Sequence, residues 1–321
     1  MSAFRTLLFS AATITAMAGA AFAQTDWPDQ TVNVIIGASP GGDTDFNART
    51  FARYFEQVTG TSMVITNMPG GGATIATTAV RDAAPDGSTI LFGHTGHLIV
   101  TEVSGLADYG IDDFEICCIP AVDQGAVFVT SAQSGITSVE DLVKRTKDDP
   151  DAVIYGTEIG GYSHLQGLLF MNETGADMRL VDTGSAAEKI ASLLGGRVHV
   201  AGIAYGAVQD YHESGQMVVL GQPNAERNPL LGDIPTFAEQ GVDFVMNNPY
   251  IIAFPKGTDE AIVERMAEIS AEISDIPEYA ADLEQGFRQP VLSYGHEESI
   301  ELLSTLRDNY MQYRDALQSS R

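Results

Sequence analysis

The sequence predicts an α/β fold in two domains that face each other across a cleft. Three observations carry this. Strand-like and helix-like runs alternate along almost the whole chain. Glycine-rich segments follow the strand-like runs at 37–42, 69–72, 93–96, 156–161 and 184, and ligands of open α/β sheets bind outside the carboxyl ends of strands. A leader-like N-terminus still leaves roughly 300 residues, enough for two cores.

The leader comes first. Arg5, the apolar stretch TLLFSAATITAMAGA and the triplet Ala21-Phe22-Ala23 predict a signal peptide over residues 1–23, cleaved before Gln24. Export is therefore expected. No cysteine stands near the cleavage point to carry a lipid, and no later apolar run approaches the ~20 residues that a membrane span needs.

TVNVIIGAS then reads as a β-branched strand, and FNARTFARYFEQV as a helix with Phe51, Ala52, Phe55 and Val58 on one face. SMVITN, the helix-like ATIATTAVRDA and the strand STILFGH follow. EICCIPAV is a strand holding the only two cysteines, Cys117 and Cys118. Adjacent Cα atoms lie ~3.8 Å apart, less than ordinary disulfide geometry wants, so two buried thiols are expected.

AVIYGT leads to the helix SHLQGLLFMNETG, striped by Leu165, Leu168 and Leu169 and stopped at Gly175. MRLVDTG leads to SAAEKIASLLGG. There Ser185 and Glu188 form a capping box, Ile190, Leu193 and Leu194 the apolar face, and Gly195 the stop. VHVAGI and MVVLGQ are the next strands. Two tail helices run from Thr258 to about Ile273 and from Glu297 to about Tyr313. Such alternation predicts largely parallel sheets.

The formal net charge of −26 argues against a nucleic-acid partner or an anionic membrane surface. It leaves small anions open, because local backbone geometry can outweigh the global field at contact distance. Catalytic signatures are missing: there is no G-x-S-x-G, no phosphate-loop motif, no H-E-x-x-H and no C-x-x-C pair. His94 and His97, three apart after a strand, could share a metal with Asp43 or Asp45, which makes a metal-dependent enzyme the rival reading. No third imidazole stands nearby, so neither metal nor cofactor is expected. Ser163 and His164 are sequence neighbours, poor geometry for a nucleophile and its base.

The glycine turns remain. Pro40-Gly41-Gly42 and Gly70-Gly71-Gly72 hold more glycine than a turn needs, which suits close backbone approach to a ligand. Helices beginning at about 44, 163 and 185 would aim three positive dipole ends at one cleft, with Thr44 the expected cap of the first.

WPDQTVNVIIGASPGGDTDFNARTFA, VITNMPGGGATIATTAVRDAAPDGSTILFG, YGTEIGGYSHLQGLLF, SLLGGRVHV, IPTFAEQGVDF and FPKGTDEAIVERM together resemble, in order and spacing, the substrate-binding proteins of tripartite tricarboxylate transporters, the Bug receptors. The similarity spans essentially the whole mature chain.

The resemblance implies a periplasmic receptor of the type II two-domain binding-protein fold, without catalysis. Its expected domains are 24–122 with 226–321, and 123–225, joined by a hinge. It implies a small carboxylate held largely by backbone N–H groups, delivery to a large and a small membrane subunit, and a monomeric receptor. The contacts it implies are Ser39, Pro40, Gly41, Gly42, Asp43, Thr44, Asp45, Gly93, His94 and Thr95 from the first domain. The second would contribute Thr157, Gly160, Gly161, Ser163, His164, Thr183, Gly184 and Ser185.

Three departures stand out. Asp43 replaces a small residue, Met68 replaces a basic one, and LVDTGSAAEKI replaces a segment that often reads V-P-Y-K-G, without its lysine. All make the site less positive. They leave room for a monocarboxylate, an amino acid whose ammonium meets Asp43, or a cation-bridged ligand.

Overall fold

The structure, a computed structural model, describes residues 26–149 and 152–319; the expected signal peptide lies outside the described residues. The chain begins in one sheet with β1 (Val32–Ile36), β2 (Met63–Asn67), β3 (Thr89–His94), β4 (Phe114–Cys118) and the short β5 (Val122–Asp123). It crosses to a second sheet for β6 (Ala126–Ser131), β7 (Ile154–Thr157), β8 (Arg179–Asp182), β9 (Val200–Ala204) and β10 (Met217–Gly221), then returns as β11 (Asn248–Pro255). The sheet orders are β2-β1-β3-β11-β4, with β5 on β11, and β10-β6-β9-β7-β8.

Both sheets are mixed, which corrects the expectation of largely parallel pairing. β1 runs parallel to β2 and β3, and β7 runs parallel to β8 and β9. The exceptions are the strands by which the chain changes sheets. β11 is antiparallel to β3 and β4, and β6 is antiparallel to β9 and β10. A parallel neighbour in one sheet requires a crossover, usually helical, to bring the chain back. A strand that arrives from the other sheet carries no such constraint.

Among the helices, α1 (Asp43–Thr59) begins after the extended Gly42 and ends at Gly60, whose φ of 75° suits a left-handed cap. Gly42 rather than Thr44 is therefore the N-cap. α2 (Thr74–Arg81) follows the triple glycine, and a π-turn over Gly96–Val100 continues into α3 (Thr101–Val103). The second sheet carries α4 (Val139–Asp148), α5 (Tyr162–Thr174), α6 (Ala186–Leu194) and α7 (Tyr205–Glu213). The tail adds α8 (Glu260–Ser274), α9 (Pro277–Phe287), α10 (His296–Met311) and α11 (Arg314–Ser319).

Trp27, Val34, Phe51, Phe55, Phe92, Phe254 and Met266 pack one core of the first lobe. Both cysteines lie in it as free, buried thiols. A larger cluster runs from Ile116, Val122 and Ile251 to Phe128, Tyr155 and Phe170, so apolar packing is continuous behind the crossing strands. Phe237 and Phe244 pack edge-on against Phe128 and Phe170, and Leu231 and Ile234 join Val127 and Val208. Sequence reasoning starts the return to the first domain at 226, whereas these side chains pack on the second sheet until β11.

Candidate functional site

A cavity of about 660 Å³ opens between the lobes, lined from both. One jaw is the turn after β1. Its Pro40-Gly41-Gly42 corner delivers the chain into α1, and Gly41 has a φ of 83°, which a side chain would strain. The opposite jaw is built from the N-termini of α5, capped by extended Gly161, and of α6, capped by Ser185. Glu188 Oε2 accepts from both the backbone N–H and the hydroxyl of Ser185, each at 2.8 Å. Three helices thus begin on one cavity, and their unpaired N–H groups and dipoles favour negative charge there.

Of the residues singled out from sequence, Ser39, Pro40, Gly41, Gly42, Asp43, Thr44, His94, Gly161, Ser163, Gly184 and Ser185 line the cavity. Asp45, Gly93, Thr95, Thr157, Gly160, His164 and Thr183 stand behind the wall. Asp45 is turned back to accept from Gly41 N–H, Arg49 Nε and Asn67 Nδ2, each at 2.9 Å. Burial acts to raise its pKa, yet these partners outweigh it and hold the carboxyl below its usual range. It orders the turn.

Thr95 Oγ1 donates to Asn248 Oδ1 and so fixes a wall residue. Gly93 is paired inside the sheet with Ile251. Thr157 Oγ1 lies 2.9 Å from Ser163 Oγ, and Thr183 donates to the Thr157 carbonyl. Gly160 N–H donates to His164 Nδ1, which ties the β7–α5 loop beneath the surface.

Sequence reasoning missed Lys189. It is 7% exposed, and its Nζ donates to Ser163 Oγ at 2.8 Å on the cavity wall. One turn into α6, Lys189 supplies an ammonium from a position other than that of the V-P-Y-K-G lysine. Helical spacing held the signal, since residue 189 lies four after the cap Ser185 and on its face. Burial pulls the Lys189 pKa down, while Glu158, Asp43 and Asp182 act to raise it.

His94 and His97 stack with ring centroids 3.8 Å apart, both on the wall. Burial, helped by the Lys189 charge, pushes His94 down to about 3. Burial and then His94 hold His97 well below its ordinary value, against the opposing pull of Asp43. Both rings are neutral at ordinary pH. His94 Nδ1 accepts from Gly96 N–H at 3.0 Å, and among the described residues no group of three His, Cys, Asp or Glu side chains could hold a metal.

A polar network backs the first jaw. Tyr250 Oη donates to Asp43 Oδ2 at 2.8 Å. Gln289 Nε2 donates to Tyr250 Oη and to Asp123 Oδ1, each at 3.2 Å, while its Oε1 accepts from Asn47 Nδ2 at 2.8 Å. Asp123, on the crossing segment, is pushed up to about 7 by burial and then by Asp43.

That shift gives a pH signature. The unfolded chain releases this proton at about pH 4, the folded protein only near 7. The stability it contributes is full below pH ~4 and is lost as the pH rises through 7. Asp123→Asn, which keeps the acceptor for Gly125 N–H, is expected to gain stability over the parent as the pH rises from 4 to 7 and to hold that gain above 7, on the order of 4 kcal/mol. Paired denaturant titrations across that range read it, and a pH-independent difference would contradict the assignment.

The sequence pattern of the tripartite tricarboxylate transporter family receptor matches residues 47–298. The chain belongs to this family. Protein BugT of Bordetella pertussis is similar, 28% identical over 241 residues and covering 74% of each chain. Among solved structures, R. palustris Rpa4515 with adipate superposes with a TM-score of 0.80 at 24% identity, over 92% of this chain and 98% of that one. The periplasmic binding protein BugD gives 0.76 at 23% identity, over 92% and 98%. These likenesses establish the two-lobed fold of type II periplasmic binding proteins. The protein is a solute-binding receptor for transport, in a family of binding proteins and not of enzymes.

Proposed function

We propose that this receptor captures a small carboxylate in the interlobe cavity, closes on it by hinge motion, and presents it to the large and small membrane subunits of a tripartite transporter. Export through cleavage of residues 1–23 places it, as a monomer, in the periplasm. The hinge lies at the two crossings, near β5–β6 and before β11, which separate a lobe built on the first sheet from one built on the second.

One observation carries the reading: the N-termini of α1, α5 and α6 and the buried Lys189 ammonium converge on a single cavity. Free N–H groups and a desolvated ammonium make charge-assisted hydrogen bonds to carboxylate oxygens, which are shorter and stronger than neutral ones. The adipate named with the Rpa4515 relative is of the same chemical class.

A thermal-shift screen of carboxylic and amino acids on the mature protein tests it. A ligand at 100 times its dissociation constant is expected to add about 2.7 kcal/mol of stability. If no carboxylate of any kind raises the transition, the reading fails.

A further inference from the structure

We infer that the ligand is a small carboxylate that also bears a cationic nitrogen, its carboxylate held by Lys189 and the α5 and α6 N-termini, its ammonium by Asp43. This rests on the receptor reading above and narrows it. The wall's charges are lopsided. Lys189 is its one cationic side chain among the described residues, set against Asp43, Glu158 and Glu188, with Asp123 adding a further carboxyl group that burial holds partly protonated near neutral pH. His94 and His97 add nothing positive, since burial keeps both neutral. A dicarboxylate would bring two anions to a wall holding one ammonium and several carboxyl groups. A desolvated charge without a partner is strongly unfavourable. A zwitterion finds an opposite charge for each end.

The hydrogen-bond directions at Asp43 point the same way. The Asn47 amide donates to Gln289 Oε1, so the Gln289 amide donates onward to Tyr250 Oη. Tyr250, fully buried, then gives its own proton to Asp43 Oδ2. Burial raises the phenol pKa well above its ordinary value, so that proton stays in place. The relay fixes Asp43 Oδ2 as an acceptor. Its partly exposed carboxylate faces the cavity, and Tyr250 is its one side-chain donor among the described residues. A simple dicarboxylate carries no proton to offer such a group at neutral pH, whereas an ammonium carries three.

The two poles sit on opposite jaws. Asp43 opens α1 and Lys189 lies one turn into α6, close enough for the Asp43 charge to act on the ammonium.

Matched probes test the inference by calorimetry: succinate against β-alanine, glutarate against γ-aminobutyrate, adipate against 5-aminovalerate, and common α-amino acids against their deaminated analogues. At least one amino carboxylate is expected to bind tenfold or more tightly than its partner probe. Asp43→Ser is expected to lose that preference and gain affinity for the dicarboxylate. Asp43→Asn, which keeps an acceptor for Tyr250, controls for loss of the relay and is expected to lose the preference as well, with an unchanged melting profile. Tighter binding of the dicarboxylates by the parent, or a ratio unmoved by Asp43→Ser, overturns the inference and leaves the receptor reading standing. Absence of binding by every carboxylate overturns both.

Discussion

Lys189→Met is expected to weaken binding of the best carboxylate from the thermal screen by about 100-fold. The ammonium is buried, is held toward the cavity by Ser163, and uses one of its three donors on that hydroxyl. Hydrogen bonds to charged groups are worth ~1.5–3 kcal/mol, and 2.7 kcal/mol is about two decades in affinity. The fold should barely notice. Met fills a similar volume, the desolvation of an ammonium is relieved, and Ser163 Oγ keeps Thr157 Oγ1 and the Glu158 N–H as partners. Lys189→Arg is not expected to rescue, because the wider guanidinium fork does not fit a pocket shaped for a point charge. Calorimetry with a parallel melting curve separates the effects. A loss below fivefold, with the fold intact, would mean that backbone N–H groups alone carry the anion.

Lys189 also marks what local sequence conveys here and what it does not. The turn and helix starts were readable because each is a short-range event. Glycines doubled at 41–42 and the Ser185–Glu188 box specify their conformations within a few residues, and α1, α5 and α6 begin within two residues of the expected positions. The buried thiols followed from the spacing of adjacent Cα atoms.

The antiparallel β11 and β6 were not readable. NPYIIAFP and AVFVTS are buried throughout, with no alternation to mark a face and nothing local to set direction. α9 is not legible between two longer helices, although Pro277 at its first turn is a start signal.

The cavity wall divides in the same way. Ser39 to Thr44, Gly161, Gly184 and Ser185, which the turns contribute, line the cavity. Asn248, Asp123 and the Tyr250–Gln289 relay are not legible, since Asp123, Asn248 and Tyr250 reach the site through the two crossings between sheets and Gln289 from the tail after α9. The resemblance implies Asp45 as a contact along with its neighbours on the cavity wall. Its side chain instead completes the turn, since three donors surround it.

Gly160→Ala is expected to weaken ligand binding by about 10-fold or more while costing the free protein on the order of 1 kcal/mol of stability. The glycine has a φ of 80°, a region that costs other residues ~1–2 kcal/mol. That part is local and burdens every state of the receptor. The second part is not local. A Cβ at 160 would lie 2.2 Å from Leu106 Cδ1 and 2.9 Å from its Cγ. Leu106 belongs to the first lobe, just after α3, and Gly160 to the β7–α5 loop of the second. Ser104 Oγ donates to the Gly160 carbonyl across the same gap at 3.2 Å.

The clash can be relieved by parting the lobes, so it should penalise the closed arrangement and spare the open one. Affinity falls in proportion to the competent fraction. Leu106→Ala in the Gly160→Ala background removes the obstructing side chain and leaves the backbone strain. Most of the lost affinity is therefore expected to return, with a coupling of about 1 kcal/mol in the double-mutant cycle. Strict additivity would mean that Leu106 and Gly160 do not meet in the ligand-bound receptor. In that case, closure would have to be carried by the far side of the cleft, where α9 faces α7 through Arg288 Nε and Gln209 Oε1 at 3.1 Å.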